Sequence, residues 1–102
     1  MLTLEAMTGL REHLKNRIAY AQYTVAGSVQ KTRIETAEIL SDGRISVFLI
    51  IDAAQTSGEV VTDISLYDSD DVLLVQKAEN IIQDPSMGGI YYHFFFRIEE
   101  VE

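Results

Sequence analysis

Cysteine is absent from the 102-residue sequence, and proline occurs only once, at Pro85. Without cysteine the chain has no disulfide bond, zinc–thiolate site or thiol nucleophile, and its redox compartment stays undetermined. Long hydrophobic runs are also missing, since no stretch approaches the roughly 18 consecutive apolar residues that a membrane-spanning helix needs. Function must therefore come from other side chains, in what we expect to be a soluble protein.

Length and composition favour one domain that spans residues 1–102. The hydrophobic content of 47% is enough for one packed core but not for two. The first residues, MLTLE, place no basic segment ahead of an apolar run, so we expect no secretory signal.

Basic side chains are scarce in the second half of the chain. Residues 1–50 hold six basic and five acidic side chains, whereas residues 51–102 hold two basic and eleven acidic ones, within a net charge of −8. The negative electrostatic field of the second half repels nucleic acid phosphates and anionic lipids, and it favours protein partners or cations. We therefore expect neither a nucleic acid nor a membrane as partner.

Residues 3–14 have the pattern of an amphipathic helix. Thr3 is suited to cap it, and Glu5 places a negative charge in its first turn. Apolar side chains recur at intervals of three or four positions, at Leu4, Met7, Leu10 and Leu14. This stripe needs a surface to pack on.

Short runs of β-branched and aromatic residues follow, separated by turn residues. The predicted strands are residues 18–25, 45–51, 59–67, 72–78 and 90–101. Residues 29–40 are polar on both faces, which fits an exposed or edge strand, with a helix from Arg33 onward as the alternative. The turn SDGR precedes residues 45–51, and Gly43 in it is suited to positive φ. Because residues 45–51 are apolar on both faces from Val47 onward, we predict a central strand buried on both sides.

This order of elements predicts an α+β fold. An N-terminal helix would pack on a mainly antiparallel sheet, or on a small β-sandwich, of about five or six strands. Residues 52–58 and 80–89 are predicted to be connections between strands.

The last predicted strand is rich in aromatic residues. Its even positions are apolar, and its odd positions are more amphipathic: Tyr91, His93, Phe95, Arg97 and Glu99. An uncovered strand of this kind is an aggregation hazard, so the helix, a facing sheet or another chain must cover it. We therefore identify Tyr91, His93, Phe95 and Arg97 as candidate protein-interface residues.

The acidic stretch TDISLYDSDDVLLV, residues 62–75, raises the question of a calcium loop. Asp68, Asp70 and Glu79 match the first, third and last ligand positions of an EF-hand. Leu73 stands where the loop needs glycine, however, and the flanking residues are strand formers where helices are required. The stretch instead favours a solvated hairpin turn, because Asp and Ser stabilise turns through side-chain to backbone hydrogen bonds.

No catalytic, cofactor or metal site is predicted. His13 and His93 lack further ligands or a nucleophile at a defined spacing, and we interpret His93 as a packed or edge-facing strand residue. The pair Gly88-Gly89 lacks the following helix and lysine of a phosphate loop. Adjacent carboxylates such as Glu99 and Glu100 point to opposite faces of a strand and form no acid–base pair.

The segments LTLEAMTGL, RISVFLIID and VVTDISLYDSDDVLLVQKAENI together resemble the N-terminal region of phage tail-collar and tail-fibre proteins and their prophage relatives. The family segment runs from an acidic residue through Gly-Leu-aromatic-Asp to Asp-Gly and an apolar strand. Ser65 and Asp71 stand where that family has glycine. The matching places are occupied here by Asp63, Ile64, Leu66, Tyr67, Asp68 and Asp70.

The resemblance implies a non-enzymatic structural protein of a tail or baseplate, without cofactors. It implies contacts with other tail or baseplate proteins, homo-oligomers such as trimers, and a location in the virion tail or in the host cytoplasm before assembly. The alternative from the charge distribution is a small acidic bacterial module that binds a protein partner or a divalent cation.

Overall fold

A computed structural model of the protein describes residues 1–52, 59–82 and 88–100. Helix α1 spans Leu4–Arg17 and is followed in the described residues by seven strands. The strands are β1 (Tyr20–Val25), β2 (Ser28–Arg33), β3 (Thr36–Ile39), β4 (Ile45–Asp52), β5 (Val61–Tyr67), β6 (Leu73–Ile81) and β7 (Gly89–Phe96).

The strands form two antiparallel sheets. One has four strands in the order β2-β1-β5-β6, and the other has three in the order β3-β4-β7. The predicted α+β class and the antiparallel sandwich are confirmed. Inward side chains of both sheets form one core: Ala21, Tyr23, Val25, Ile45, Val47, Leu49, Ile51, Val61, Ile64, Leu66 and Phe94.

The helix begins as predicted and ends later than predicted. The hydroxyl of Thr3 accepts a hydrogen bond of 3.1 Å from the backbone N–H of Ala6, which caps the first turn. The helix continues to Arg17 rather than Leu14. Leu14 packs against the core, whereas Leu4 remains 79% exposed. No residue of the helix is fully buried, so the predicted apolar stripe packs only in part.

The polar run at residues 29–40 forms two strands and no helix, so the alternative of a helix from Arg33 onward was wrong. β2 is an edge strand of the four-stranded sheet, and β3 is an edge strand of the other. The chain crosses between the sheets at Ile34 and Glu35, where the N–H of Glu35 donates to the carbonyl of Phe48 at 2.9 Å. This division explains why there are seven strands rather than five or six.

β4 is the central strand of its sheet, as predicted, but it is not buried on both sides. Its inward residues are fully buried, whereas Phe48 and Ile50 on the outer side are half-buried. The facing sheet packs on the inner side, and on the outer side Ser46 is buried whereas Phe48 and Ile50 remain partly accessible.

β5 and β7 differ from prediction in detail. A bulge between Val61 and Asp63 shifts the alternation, so that Val61 joins Ile64 and Leu66 in the core. β7 ends at Phe96 rather than at position 101, which lies outside the described residues. Residues 53–58, predicted as a loop, and residues 83–87 of the second connection also lie outside them. Along the described part of the chain, no helix is long and apolar enough to cross a membrane.

Candidate protein interface

Four aromatic side chains share the outer side of the three-stranded sheet. Phe48 comes from β4, and Tyr91, His93 and Phe95 come from alternate positions of β7. Alternate residues of a strand point to the same side, so the even positions of β7 enter the core and the odd ones face outward. Tyr91 is 63% exposed and Phe95 is 43% exposed. We call Phe48, Tyr91, His93 and Phe95 the aromatic face.

The rings of the aromatic face contact one another because β4 and β7 are in register. Phe48 lies directly opposite His93, and their ring centroids are 4.7 Å apart. Phe48 also stacks on Tyr91 at 6.3 Å, and His93 stacks on Phe95 at 5.7 Å. Such contacts hold the rings in place before any partner arrives, which lowers the entropy cost of binding.

Two arginines border the aromatic face at one end. The guanidinium of Arg44 lies 5.1 Å from the ring centroid of Phe95, within the range of a cation–π contact. Its Nε donates to Asp42 at 2.7 Å, and its backbone N–H donates to the same carboxylate at 3.0 Å. These hydrogen bonds, with a smaller contribution from Arg97, hold the pKa of Asp42 below its usual range.

The structure brings together three of the four residues that the sequence identifies as interface candidates. Tyr91, His93 and Phe95 lie side by side on β7. Of the two predictions for His93, a packed or an edge-facing strand residue, the structure shows an exposed residue of an edge strand. Arg97 follows the end of the strand and is exposed. Phe48 was missed because its strand is continuously apolar, so that the sequence alone does not reveal its uncovered side.

The acidic stretch forms a turn, as predicted, but Asp68 is not a solvated residue. Its side chain is only 7% exposed. One carboxylate oxygen accepts hydrogen bonds of 2.9 Å from the N–H groups of Asp70 and Val72, and the other accepts one of 2.5 Å from Arg17. The hydrogen bond from Arg17, followed by those from the backbone, lowers the pKa of Asp68.

Asp71 closes the turn in a left-handed conformation. Its φ is +62°, and its side chain accepts a hydrogen bond of 2.6 Å from the hydroxyl of Tyr20. This hydrogen bond is the main reason that the pKa of Tyr20 rises to about 12.

The three carboxylates that match calcium-ligand positions do not converge. Glu79 lies six residues into β6 from Leu73, or roughly 20 Å along the strand, and faces the other sheet. There it accepts a hydrogen bond of 2.9 Å from the hydroxyl of Tyr92 and pairs with Lys77 at 3.2 Å. Among the described residues, no group of three or more histidine, aspartate or glutamate side chains is placed to hold a metal ion.

A groove of about 670 Å³ lies between the end of α1 and the acidic turn. It is lined by His13, Arg17, Asp68 and Asp70, among others. The charged groups of Arg17 and Asp68 already bind each other, and His13 and Asp70 are exposed. Among the described residues, the groove therefore leaves the side chains of His13 and Asp70 open to a ligand, while those of Arg17 and Asp68 are engaged in the fold.

No family model, curated protein or solved structure matches this chain.

Proposed function

We propose that the protein is a non-enzymatic structural component of a phage or prophage tail or baseplate, and that it assembles through protein–protein contacts. The observation that carries the proposal is the aromatic face, which groups four rings on an uncovered sheet surface. Exposed apolar clusters mark interaction sites, and protein interfaces are enriched in aromatic residues and arginine. Arg44 supplies a charged border to the cluster.

Two local features support the link to tail proteins. Position 71 has φ +62°, a conformation that suits the glycine of the tail-collar segment. Position 65 is 6% exposed, so the small side chain of Ser65 stands where that segment has its other glycine. On this proposal the partners are other tail or baseplate proteins and further copies of the chain, as in a trimer. The protein would reside in the virion tail, or in the host cytoplasm before assembly.

The first test locates the protein. Induced cultures of the host yield particles that can be purified and labelled with antibodies against this chain. We expect label at the tail in electron micrographs, and we expect tail genes beside the gene for this chain. Particles that lack the chain would overturn the proposal.

The second test concerns the aromatic face. Tyr91→Glu puts a charge at a ring that is 63% exposed, so folding is little affected while any contact on that face is lost. Val29→Glu is the matched control, because Val29 is a 59% exposed strand residue outside the face. We expect Tyr91→Glu to weaken assembly at least about tenfold, as is typical of interface hot spots, in light scattering and in incorporation into particles. Equal effects of the two changes would contradict a role for the face.

For the alternative, a module that binds a divalent cation, the described residues provide no observation comparable to the aromatic face. Asp68 and Glu79 are engaged by Arg17 and Tyr92, respectively. A calcium titration followed by melting temperature checks this directly, because a cation that binds only the folded state must raise stability. We expect no increase.

A further inference from the structure

β7 has one unpaired edge, and the direction of its backbone groups follows from the hydrogen bonds of β4. The carbonyl of Phe48 points toward β3, since it accepts from Glu35. Residues of an antiparallel strand alternate in the side to which their N–H and C=O groups point. Odd residues of β4 therefore bond to β7, and they pair with its even residues, as Leu49 pairs with Tyr92.

The odd residues of β7 must then direct their backbone groups away from β4. Each odd residue of β7 after Gly89 consequently presents its side chain on the aromatic face and, along the open edge, N–H and C=O groups that pair with no described strand. These residues are Tyr91, His93 and Phe95. Within the described residues no strand lies beyond β7 in its sheet. The edge is a template for one more strand.

The other three sheet edges are protected against such pairing. β2 carries Lys31 and Arg33, β6 carries Lys77 and Glu79, and β3 is only four residues long and contains Glu38. Charges and short length are the usual means by which edge strands avoid association. β7 has eight residues, GIYYHFFF, with no Asp, Glu, Lys, Arg or Pro.

We propose that β7 pairs with β7 of a second copy of this chain, antiparallel and centred on His93. This inference rests on the proposed function, since it names a second copy of the chain as the partner of the same surface, with a two-fold dimer in place of the trimer. Only odd residues offer free backbone groups, so odd must pair with odd, which also keeps the two aromatic faces on one side. In the centred register His93 faces His93 of the second copy, and Tyr91 faces Phe95 of the second copy.

The register is self-complementary in both chemistry and charge. Aromatic residues oppose aromatic residues, which is a favourable cross-strand combination. Because β7 carries no carboxylate or ammonium group, a charged partner would form no ion pairs with it. A two-fold pairing instead places each strand against an identical, uncharged strand. The product is a continuous sheet in the order β3-β4-β7-β7-β4-β3, with both aromatic faces joined across the two-fold axis.

Single engineered cysteines test the register, because the natural chain has none. Directly opposed residues of this kind have Cα atoms about 5.5 Å apart, which lies within disulfide reach. We expect His93→Cys alone to form covalent dimers on mild oxidation. Tyr91→Cys alone and Phe95→Cys alone should not, since like positions would be roughly 13 Å apart, but a mixture of the two should. Lys31→Cys on the β2 edge is the control for random collision.

Charge exchange at the two-fold axis tests the same pairing without oxidation. His93→Lys and His93→Glu each place like charges opposite one another, and each should weaken the dimer about fivefold in sedimentation. An equimolar mixture of the two should form dimers again, because the charges are then opposite. Circular dichroism checks that both variants fold.

The outcomes separate this inference from the proposed function. Register-specific disulfides from a chain that is missing from particles would uphold the pairing and refute the tail role. The opposite result is a chain that is found in tails but shows no gain in cross-linking when the Tyr91→Cys and Phe95→Cys variants are mixed. That result would uphold the tail role and refute the pairing. Cross-linking of Lys31→Cys as fast as His93→Cys would also refute it, as would mixed charge variants that remain monomeric.

Discussion

Arg17, at the end of α1, donates a hydrogen bond of 2.5 Å to the carboxylate of Asp68, 51 positions later in the chain. The same carboxylate accepts from two N–H groups of the turn between β5 and β6. One side chain therefore joins the end of the helix to the tip of a hairpin. Loss of the ion pair between Arg17 and Asp68 should therefore destabilise both the end of α1 and the turn between β5 and β6.

Acid should destabilise the protein partly through Asp68. The pKa of this carboxyl is lowered in the folded state, chiefly by Arg17, so its contribution to stability is present above its unfolded value of about 3.9. That contribution is lost as the pH falls through the folded pKa. We expect Asp68→Asn to lower the melting temperature at neutral pH and to flatten its decline on acidification. Asp42 and Glu79 also have lowered pKa values, so some decline will remain.

Arg17→Gln provides the matched control for that pH profile. It removes the charge that lowers the pKa of Asp68 but leaves the two backbone hydrogen bonds of the turn in place. Its melting curve should lie between those of the wild type and Asp68→Asn. If the melting temperature of both variants declined on acidification as it does in the wild type, Asp68 would not be a source of the acid sensitivity.

Asp71→Gly should leave stability within about 0.5 kcal/mol of the wild type. Glycine relieves the cost of φ +62°, worth roughly 0.5–1 kcal/mol, and this gain offsets the lost hydrogen bond from Tyr20. Asp71→Ala loses the same hydrogen bond without the relief, and should cost about 1 kcal/mol more than the glycine variant. Urea unfolding measures both. A clear loss for Asp71→Gly would assign the carboxylate a role beyond the turn.

Gly43→Ala should cost about 2 kcal/mol. Gly43 has φ +90°, and an added Cβ would lie 2.8 Å from Cζ of Arg11. Gly27 isolates the backbone part of this cost, because it has φ +79° with nothing within 4 Å of an added Cβ. We expect Gly27→Ala to cost about 1 kcal/mol. In an Arg11→Ala background, the cost of Gly43→Ala should fall to about 1 kcal/mol. If the cost is unchanged in that background, the contact with Arg11 is not its source.

Tyr92→Phe should destabilise the protein by about 1–2 kcal/mol, because the phenol donates to a carboxylate. The ring keeps its edge contact with Phe94, at 6.0 Å between centroids. Only the hydrogen bond of 2.9 Å to Glu79, which joins β7 to β6 across the two sheets, is removed. Tyr91→Phe removes an exposed hydroxyl from the neighbouring position and should be nearly neutral in the same urea titration. Equal destabilisation by Tyr92→Phe and Tyr91→Phe would mean that the hydrogen bond from Tyr92 to Glu79 does not contribute to stability.

Local patterns predicted most elements, since periodicity and turn residues act over a few positions. The two-residue alternation of β7 separated the apolar row that contains Phe94 from the more amphipathic row that contains Phe95, without any knowledge of topology. The crossing at Ile34 and Glu35 was not predictable in this way, because neither residue is a glycine or proline. The partner of Asp68 was equally hidden, since a contact with Arg17 depends on how distant segments are brought together.

The order in which strands pair along the chain has a consequence for folding. β1–β2, β3–β4 and β5–β6 are hairpins that close between neighbours, whereas β5 must find β1 and β7 must find β4. In the second of these pairings Phe96 comes to lie beside Ile45. Pairing over such a separation is entropically costly and slow compared with hairpin closure. The aromatic face is therefore completed late, when β7 docks. A copy that has not finished folding has no complete surface to offer, so assembly through this surface would select the chains that have folded.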